Sequence, residues 1–162
     1  MRVIVYTDGS SKGNPGSGGY GVVMMSEDGK HYKELAEGFQ KTTNNRMELM
    51  SVIVALESLK TEGTVVNVFS DSKYVVDSIE KGWVFNWVKK GFKDKKNPDL
   101  WRRFLKVYPK HKVKLNWVKG HAGNKYNEVC DKLAFNIADG KNLKKDEGYE
   151  ASLLNNDIFT SK

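Results

Sequence analysis

The chain has 162 residues, of which 39% are hydrophobic and 11% aromatic, a size that suits one compact domain and leaves little room for a second. No apolar run reaches the roughly 18 residues that cross a bilayer, and the apolar stretch at the start is too short for a signal peptide. The only cysteine, Cys130, excludes an internal disulfide and a thiolate zinc cluster. We therefore expect a cytoplasmic protein. The formal net charge of +7 favours a polyanionic partner.

Three strands are predicted at the start of the chain. Residues 3–6 form an apolar run, and the glycine-rich residues 9–21 form a loop that turns into the next strand. Residues 20–25 and 32–39 flank Asp28-Gly29, a dipeptide typical of tight hairpin turns, and are therefore expected to pair. The first three strands are thus predicted to be antiparallel.

Helices and strands then alternate. Residues 44–60 carry apolar side chains at helical spacing, and Gly63 ends this predicted helix. Residues 65–69 form a short apolar strand. A second helix is predicted to begin at Ser72 and to run to residue 81, where a glycine follows.

The last third of the folded region repeats this alternation. Residues 83–96 are rich in aromatic side chains and lysine, and they predict a short helix that runs into a loop. A helix over residues 99–108 and a half-exposed strand over residues 112–117 follow, the strand indicated by strict alternation of apolar and polar residues. The final helix is predicted to begin at the cap candidate Asn127 and to end at Gly140.

The order of these elements predicts the fold class. Three strands, a helix, a strand, further helices, a strand and a helix form an α/β fold with a mixed sheet of five strands, three antiparallel and then two parallel, flanked by helices. The folded domain is expected to span residues 1–140. Residues 141–162 show no periodicity and are assigned to a C-terminal tail of undefined order.

Two aspartates follow apolar strands in similar sequence contexts. Asp8 lies in Val-Tyr-Thr-Asp-Gly-Ser and Asp71 in Val-Phe-Ser-Asp-Ser-Lys. Because ligands of α/β sheets bind at the carboxyl ends of parallel strands, adjacent placement of the two strands would bring the two carboxylates together. The alternative for each is a simple capping role at a turn or helix start.

Two further acidic residues are candidates for the same site. Glu48 falls within the apolar arc of its helix, where a carboxylate is costly to bury unless a cation or strong donors compensate. Its alternative role is a capping box with Asn45. Asp131 is expected in the first turn of the last helix, where it could instead stabilise the positive helix end.

Clustered carboxylates repel one another unless multivalent cations hold them. Oxygen ligands without cysteine favour Mg²⁺ or Mn²⁺ over zinc. Two such ions about 3.5–4 Å apart can activate a water molecule and stabilise the leaving oxygen during attack on phosphorus. The four carboxylates therefore indicate a metal-dependent nuclease that hydrolyses phosphodiesters.

A family resemblance is carried by five motifs in matching order and spacing. With these motifs the chain resembles bacterial ribonuclease H of type 1 from about residue 3 to residue 138. The motifs are Tyr6-Thr7-Asp8-Gly9-Ser10, Gly13-Asn14-Pro15-Gly16, Thr42-Thr43-Asn44-Asn45-Arg46-Met47-Glu48-Leu49, Ser70-Asp71-Ser72 and Trp117-Val118-Lys119-Gly120-His121-Ala122-Gly123.

The resemblance implies a reaction and a set of metal ligands. It implies endonucleolytic cutting of RNA within RNA–DNA hybrids, with two Mg²⁺ ions and products that carry a 5′-phosphate and a 3′-hydroxyl. By analogy Asp8 bridges both ions, Asp131 holds the ion with the attacking water, and Glu48 and Asp71 complete the leaving-group side. His121 resembles the family's mobile auxiliary histidine, although a histidine in a loop is otherwise ordinary surface.

The resemblance also implies how the two strands of a hybrid are bound. Asn14, Asn44 and Asn45 match residues that contact the RNA strand, and amides suit the 2′-hydroxyl because they both donate and accept; turn and cap roles are the alternative. Thr43 and Asn97 suggest a phosphate pocket for the DNA strand, with Lys41 where an arginine is frequent. An aromatic and basic segment is expected to lie under the DNA strand and comprises Trp83, Trp87, Lys89, Lys90, Lys93, Lys95 and Lys96.

Other functions fit the sequence less well. A phosphatase built on a strand-end aspartate needs a second aspartate two residues later, and position 10 is serine. An integrase or resolvase of the same superfamily would lack the asparagine set. A binding module without catalysis would be indicated by a broken carboxylate set, and here all four acidic positions are intact. The expected partner is thus an RNA–DNA hybrid, with no membrane partner and with a monomer as the default.

Overall fold

A computed structural model describes residues 1–120 and 123–155. It contains five strands, six α-helices and one 3₁₀ turn within these ranges. In chain order they are β1 Arg2–Lys12, β2 Gly16–Ser26, β3 Tyr32–Thr42, α1 Asn44–Glu57, β4 Val65–Ser70, α2 Lys73–Glu80, α3 Trp83–Lys89, α4 Pro98–Val107, the 3₁₀ turn Tyr108–Lys110, β5 Lys112–Trp117, α5 Lys125–Ala138 and α6 Glu147–Asn155.

The five strands form one mixed sheet in the order β3-β2-β1-β4-β5. β1 pairs antiparallel with β2, and β2 pairs antiparallel with β3. β4 lies parallel to β1, and β5 lies parallel to β4, so the carboxyl ends of these three strands share one edge of the sheet. The predicted fold class, with three antiparallel strands followed by two parallel ones, is confirmed.

The core fills the space between one face of the sheet and α1. Alternate residues of the central strands, such as Val5, Val68 and Leu115, point to this face and are buried. α1 is buried on most of its surface because the sheet covers one side and α4, with the fully buried Trp101, lies against another. Within the described ranges, no helix combines the length and apolar character needed to cross a membrane.

α5 packs on the opposite face of the sheet, against β1 and β2. Two small residues of α5, Cys130 and Ala134, are buried, and a Cβ atom at Gly21 of β2 would overlap the carbonyl oxygen of Cys130. The missing side chain therefore lets this helix lie directly on the sheet.

The structure corrects the predicted start of the last helix and the cap considered for the first helix. α5 begins one turn earlier than expected, because the side chain of Asn124 accepts hydrogen bonds from two backbone N–H groups and forms the cap; Asn127 lies inside the helix and is buried. α1 is capped by Thr43, whose Oγ1 accepts from the N–H of Arg46 at 3.2 Å. The capping box considered for Asn45 and Glu48 is therefore not formed.

Residues 141–155 pack onto the domain although their sequence has no apolar period. Lys144 forms an isolated parallel bridge with Phe39 of β3. Asp146 is buried and accepts hydrogen bonds from Arg46 at 2.8 and 2.9 Å and from Thr42 at 2.7 Å. Polar contacts thus attach this segment, and α6 follows them.

Candidate active site

Three of the four predicted carboxylates lie together at the carboxyl edge of the parallel strands. Asp8, Glu48 and Asp71 each offer an oxygen, and these oxygens lie within 4.8 Å of one another. Asp8 comes from β1, Glu48 from the first turns of α1 and Asp71 from the residue after β4. The structure therefore gathers ligands from three separate stretches of sequence.

The strand register explains why two of them meet. Thr7 of β1 pairs with Ser70 of β4 in parallel, so Asp8 and Asp71 each follow a paired residue at the same edge. Ser72 then caps α2 by accepting from the N–H of Val75, and Asp71 is left at the turn between strand and helix.

Gly9 brings Glu48 into the group, a role that the sequence patterns did not reveal. A Cβ atom at this position would overlap the backbone of Met47 and Glu48. Because glycine has no side chain, the end of β1 can touch the start of α1, and Asp8 and Glu48 become neighbours. The available signal was a glycine directly after a candidate ligand at a strand end.

The group is electrostatically costly as it stands. Burial, followed by the negative charge of Asp71, raises the pKa of Asp8 to about 7, although the N–H of Gly9 donates a 2.9 Å hydrogen bond to its Oδ1. Burial and the charges of Asp8 and Asp71 raise the pKa of Glu48 well above its usual value. Asp8 and Glu48 can therefore both be ionised at neutral pH only beside a counter-charge.

The donor set fits a divalent cation. Oε1 of Glu48 is buried and has no hydrogen-bond partner among residues 1–120 and 123–155, which is the condition expected of an oxygen that awaits a ligand. The neighbouring donors are all carboxylate oxygens, the ligands that hard cations prefer. Asp8, Glu48 and Asp71 could thus hold a metal ion.

Asp131 lies near this group but outside it. It is half-buried in the second turn of α5, so its predicted place in the first turn is wrong because the helix begins at Lys125. Its charge contributes to the raised pKa of Asp8. The preceding residue, Cys130, fixes α5 to β1, with its Sγ 3.2 Å from the carbonyl oxygen of Tyr6.

The segment after β5 closes the site beside Asp71. A Cβ atom at Gly120 would lie 2.7 Å from Oδ2 of Asp71, so a larger residue here would push this carboxylate out of its position. His121, the predicted auxiliary histidine, lies outside the described residues.

Comparison with known proteins identifies the family. The family model for RNase H matches residues 1–139. The chain belongs to the ribonuclease H family. The expectation of a nuclease is thereby confirmed.

The relatives of this ribonuclease H cover nearly its whole length. Ribonuclease H of Desulforamulus reducens is 54% identical over 150 residues, which are 90% of this chain and 92% of that protein. LC9-RNase H1, a type 1 RNase H with the type 2 active-site motif, superposes with a TM-score of 0.78 at 34% identity and covers 93% of this chain and 80% of its own. LC11-RNase H1, solved in complex with an RNA/DNA hybrid, superposes with a TM-score of 0.63 at 27% identity. The match covers 85% of this chain and 96% of LC11-RNase H1.

In this ribonuclease H, two of the predicted RNA-strand residues are linked to each other. Oδ1 of Asn14 accepts from the backbone N–H of Asn44 at 3.1 Å. Oδ1 of Asn44 accepts from the N–H and the hydroxyl of Ser11 at 2.7 and 3.1 Å. Both amides are exposed, as is Asn45 in the first turn of α1. The turn chemistry considered as an alternative is therefore present, and it holds the side chains at the surface.

The residues of the predicted phosphate pocket have mixed environments. Thr43 uses its hydroxyl oxygen as the cap of α1, and Lys41 is exposed. Asn97 has a left-handed backbone with φ of 62°; its Oδ1 accepts from Arg46 at 3.3 Å, and its Nδ2 donates to Tyr74 at 3.1 Å. Arg46, which was not predicted as a site residue, therefore orients one of these side chains.

The aromatic and basic segment forms an open cavity of about 200 Å³. Trp83 is 42% exposed, whereas Trp87 packs edge-on against the buried Trp101 with ring centroids 6.0 Å apart. One tryptophan is thus available to a ligand and the other is largely structural. The cavity is lined by Trp83, Asn86, Trp87, Lys90, Lys93 and Lys95; Lys89 and Lys96 are exposed but do not line it.

Proposed function

We propose that this ribonuclease H hydrolyses the RNA strand of RNA–DNA hybrids with the help of two Mg²⁺ ions, for which Mn²⁺ can substitute, and leaves 5′-phosphate and 3′-hydroxyl ends. The observation that carries the proposal is the group of three carboxylates, in which Oε1 of Glu48 is buried without a hydrogen-bond partner in the part of the chain that the structure describes. That a relative of the same fold was solved with an RNA/DNA hybrid supports the choice of substrate.

The proposed metal ligands are Asp8, Glu48, Asp71 and Asp131. When bound, the ions supply an activated water and stabilise the leaving oxygen. Asp8 holds the central position because it neighbours Glu48 and Asp71 and also feels the charge of Asp131. Asp131, which comes from α5 on the opposite face of the sheet from α1, would complete the set of ligands.

His121 is proposed as an auxiliary group that moves protons or assists product departure, since imidazole titrates near neutral pH. His121→Ala is therefore expected to lower kcat less than Asp8→Asn does. Equal losses in a metal-titrated cleavage assay would contradict the auxiliary role.

Strand selection is proposed to rest on exposed amides and cations. Asn14, Asn44 and Asn45 would read the 2′-hydroxyl of the RNA strand, because amides donate and accept at once. The DNA strand would contact a second set, which comprises Thr43, Lys41, Asn97, Trp83, Trp87, Lys89, Lys90 and Lys93.

The decisive experiment offers three end-labelled duplexes of one sequence, RNA–DNA, DNA–DNA and RNA–RNA, each with Mg²⁺ or with EDTA. We expect cleavage of the RNA strand in the hybrid with Mg²⁺ alone. Product ends are read by ligation and phosphatase treatment, which distinguish a 5′-phosphate from a 5′-hydroxyl. Cutting of all three duplexes, or cutting in EDTA, would overturn the proposal.

We further propose that one chain suffices for activity, that residues 1–140 form its catalytic domain and that it works in the cytoplasm. All four proposed ligands come from the same chain, and the family model ends at residue 139. The buried thiol of Cys130 is compatible with a reducing compartment. Light scattering of the active enzyme at assay concentration should give the molar mass of a single chain.

A further inference from the structure

Trp117 occupies an unusual position beside the carboxylate group. It ends β5 and pairs with Ser70, the residue before Asp71. Its indole N–H donates to the backbone carbonyl oxygen of Asp71 at 3.1 Å. Nevertheless 46% of the residue is exposed, so the hydrogen bond holds a large aromatic surface in solvent at the catalytic edge of the sheet.

A cation lies on this ring. Nζ of Lys73, the exposed first residue of α2, is 4.7 Å from the centroid of the Trp117 ring. This distance is within the range of a cation–π contact. The pair therefore presents a positive charge and an apolar face together, with Lys73 two residues after Asp71 at the start of α2 and Trp117 paired with the residue before Asp71.

An exposed aromatic ring beside a lysine is a combination that suits the binding of a nucleotide. A partly exposed tryptophan leaves apolar area in water, and a lysine near a carboxylate group attracts phosphate. In a duplex the bases are stacked inside, so the sugar and the phosphate are the groups that an edge residue can reach.

We propose that Trp117 and Lys73 bind one nucleotide of the cleaved strand next to the reacting phosphate, with the ring against the ribose and the ammonium group on the phosphate. The inference rests on the proposed function, because it assigns the hybrid to the edge that carries Asp71. It adds a binding element on the β5 side of the carboxylates, across the site from the asparagine set, which lies in the turn between β1 and β2 and at the start of α1.

The test measures hybrid binding in EDTA by fluorescence polarisation, so that no cleavage is required, together with KM and kcat in Mg²⁺. Trp117→Ala should raise Kd and KM about 5-fold or more, as expected when an aromatic contact to nucleic acid is lost. Trp117→Phe keeps a ring but not the donor and should bind nearly as the unchanged chain does. Lys73→Gln should lower the slope of log Kd against log salt by about 1.

A matched control uses an equally exposed pair on the opposite edge of the sheet. Tyr32 is 54% exposed and Lys33 is its exposed neighbour at the start of β3. Tyr32→Ala and Lys33→Gln should leave Kd and KM unchanged.

Two results would overturn the inference. One is an unchanged Kd in Trp117→Ala. The other is an equal loss of kcat and of Mg²⁺ affinity in Trp117→Ala and Trp117→Phe without a change in Kd, which would mean that the indole N–H only holds Asp71 in place. Absence of cleavage by the unchanged chain would instead count against the proposed function, since binding is read separately.

Discussion

At the scale of single residues, burial of Asp8 couples activity to stability. Its folded pKa of about 7 lies above the ordinary value of 3.8. The folded state thus favours the protonated carboxyl, and the metal-free chain loses stability as pH rises from about 4 to about 7, after which the penalty is constant. A bound cation would remove this penalty.

Asp8→Asn should therefore abolish cleavage and yet stabilise the metal-free enzyme at pH 8. We expect a gain of about 1–3 kcal/mol, because each pKa unit corresponds to about 1.4 kcal/mol and Glu48 shares the relief of repulsion. The gain should shrink towards pH 4, where Asp8 is protonated anyway. Thermal unfolding in EDTA at both pH values measures it, and a loss of stability at pH 8 would contradict the repulsion argument.

The contact between Gly9 and α1 predicts that a larger residue at position 9 disturbs the site. Gly9→Ala places a Cβ atom on the backbone of α1, which cannot yield without shifting Glu48. We expect a loss of roughly 2–4 kcal/mol and a weaker Mg²⁺ affinity. Gly29→Ala is the control, since nothing lies within 4 Å of its Cβ and only its positive φ opposes alanine, at about 1 kcal/mol.

The aspartates and the glycines of the site differ in how far the sequence patterns could predict them. Asp8 and Asp71 were predictable because each follows an apolar strand, and parallel pairing then places them together. Gly9 and Gly120 were not, because their role is the absence of an atom at a contact between distant segments. Such a contact exists only after α1 and the segment that follows β5 have packed.

At the scale of elements, a buried ion pair connects the C-terminal segment to α1. Arg46 is 2% exposed and donates to Asp146, which is also buried, and to Asp99, which is 43% exposed. Burial alone would raise the pKa of Asp99, but the hydrogen bonds and charge of Arg46 outweigh it and lower this pKa. Gly148 lies directly against the Arg46–Asp99 pair, since a Cβ atom there would overlap Asp99.

Asp146→Ala should destabilise the enzyme by about 3–5 kcal/mol, because it leaves the guanidinium of Arg46 buried with one carboxylate missing. Asp99→Ala is the matched variant. It removes the more exposed partner of the same arginine and should cost about 1 kcal/mol or less. Urea unfolding of both variants measures the difference, and equal losses would show that the burial of Asp146 is not what matters.

The same ion pair explains why α6 was missed while α1 to α5 were foreseen. A periodic apolar stripe predicts a helix that packs by burying apolar area. Residues 141–155 are attached by Asp146, by the bridge at Lys144 and by the close approach of Gly148 instead. The start of α5 was also mispredicted because the sequence alone offers two caps, Asn124 and Asn127. They are distinguished only in the folded chain, where the side chain of Asn124 accepts hydrogen bonds from two backbone N–H groups.

At the scale of the whole molecule, two groups of lysines line separate cavities of the domain. One lines the cavity at α3, with Lys90, Lys93 and Lys95. The other surrounds a cavity of about 310 Å³ where α1, α4 and the 3₁₀ turn end, before β4 and β5 begin, and it includes Lys60, Lys106 and Lys110. The second group lies at the amino edge of the parallel strands, away from the carboxylates. Only the first should therefore contact a hybrid that reaches Asp8.

Neutralising each group by three substitutions to glutamine tests this assignment, because both triple variants lose the same three positive charges and differ only in where these are lost. The triple variant at Lys90, Lys93 and Lys95 should raise KM for the hybrid and lower the slope of log KM against log salt by about 2–3, because each lost phosphate contact releases about one counterion fewer. The triple variant at Lys60, Lys106 and Lys110 removes the same charge and should keep the slope within about 1 of the unchanged enzyme, since long-range attraction is screened beyond about 10 Å in 0.1 M salt. Equal slopes for the two variants would mean that the net charge of +7, rather than its placement, governs binding.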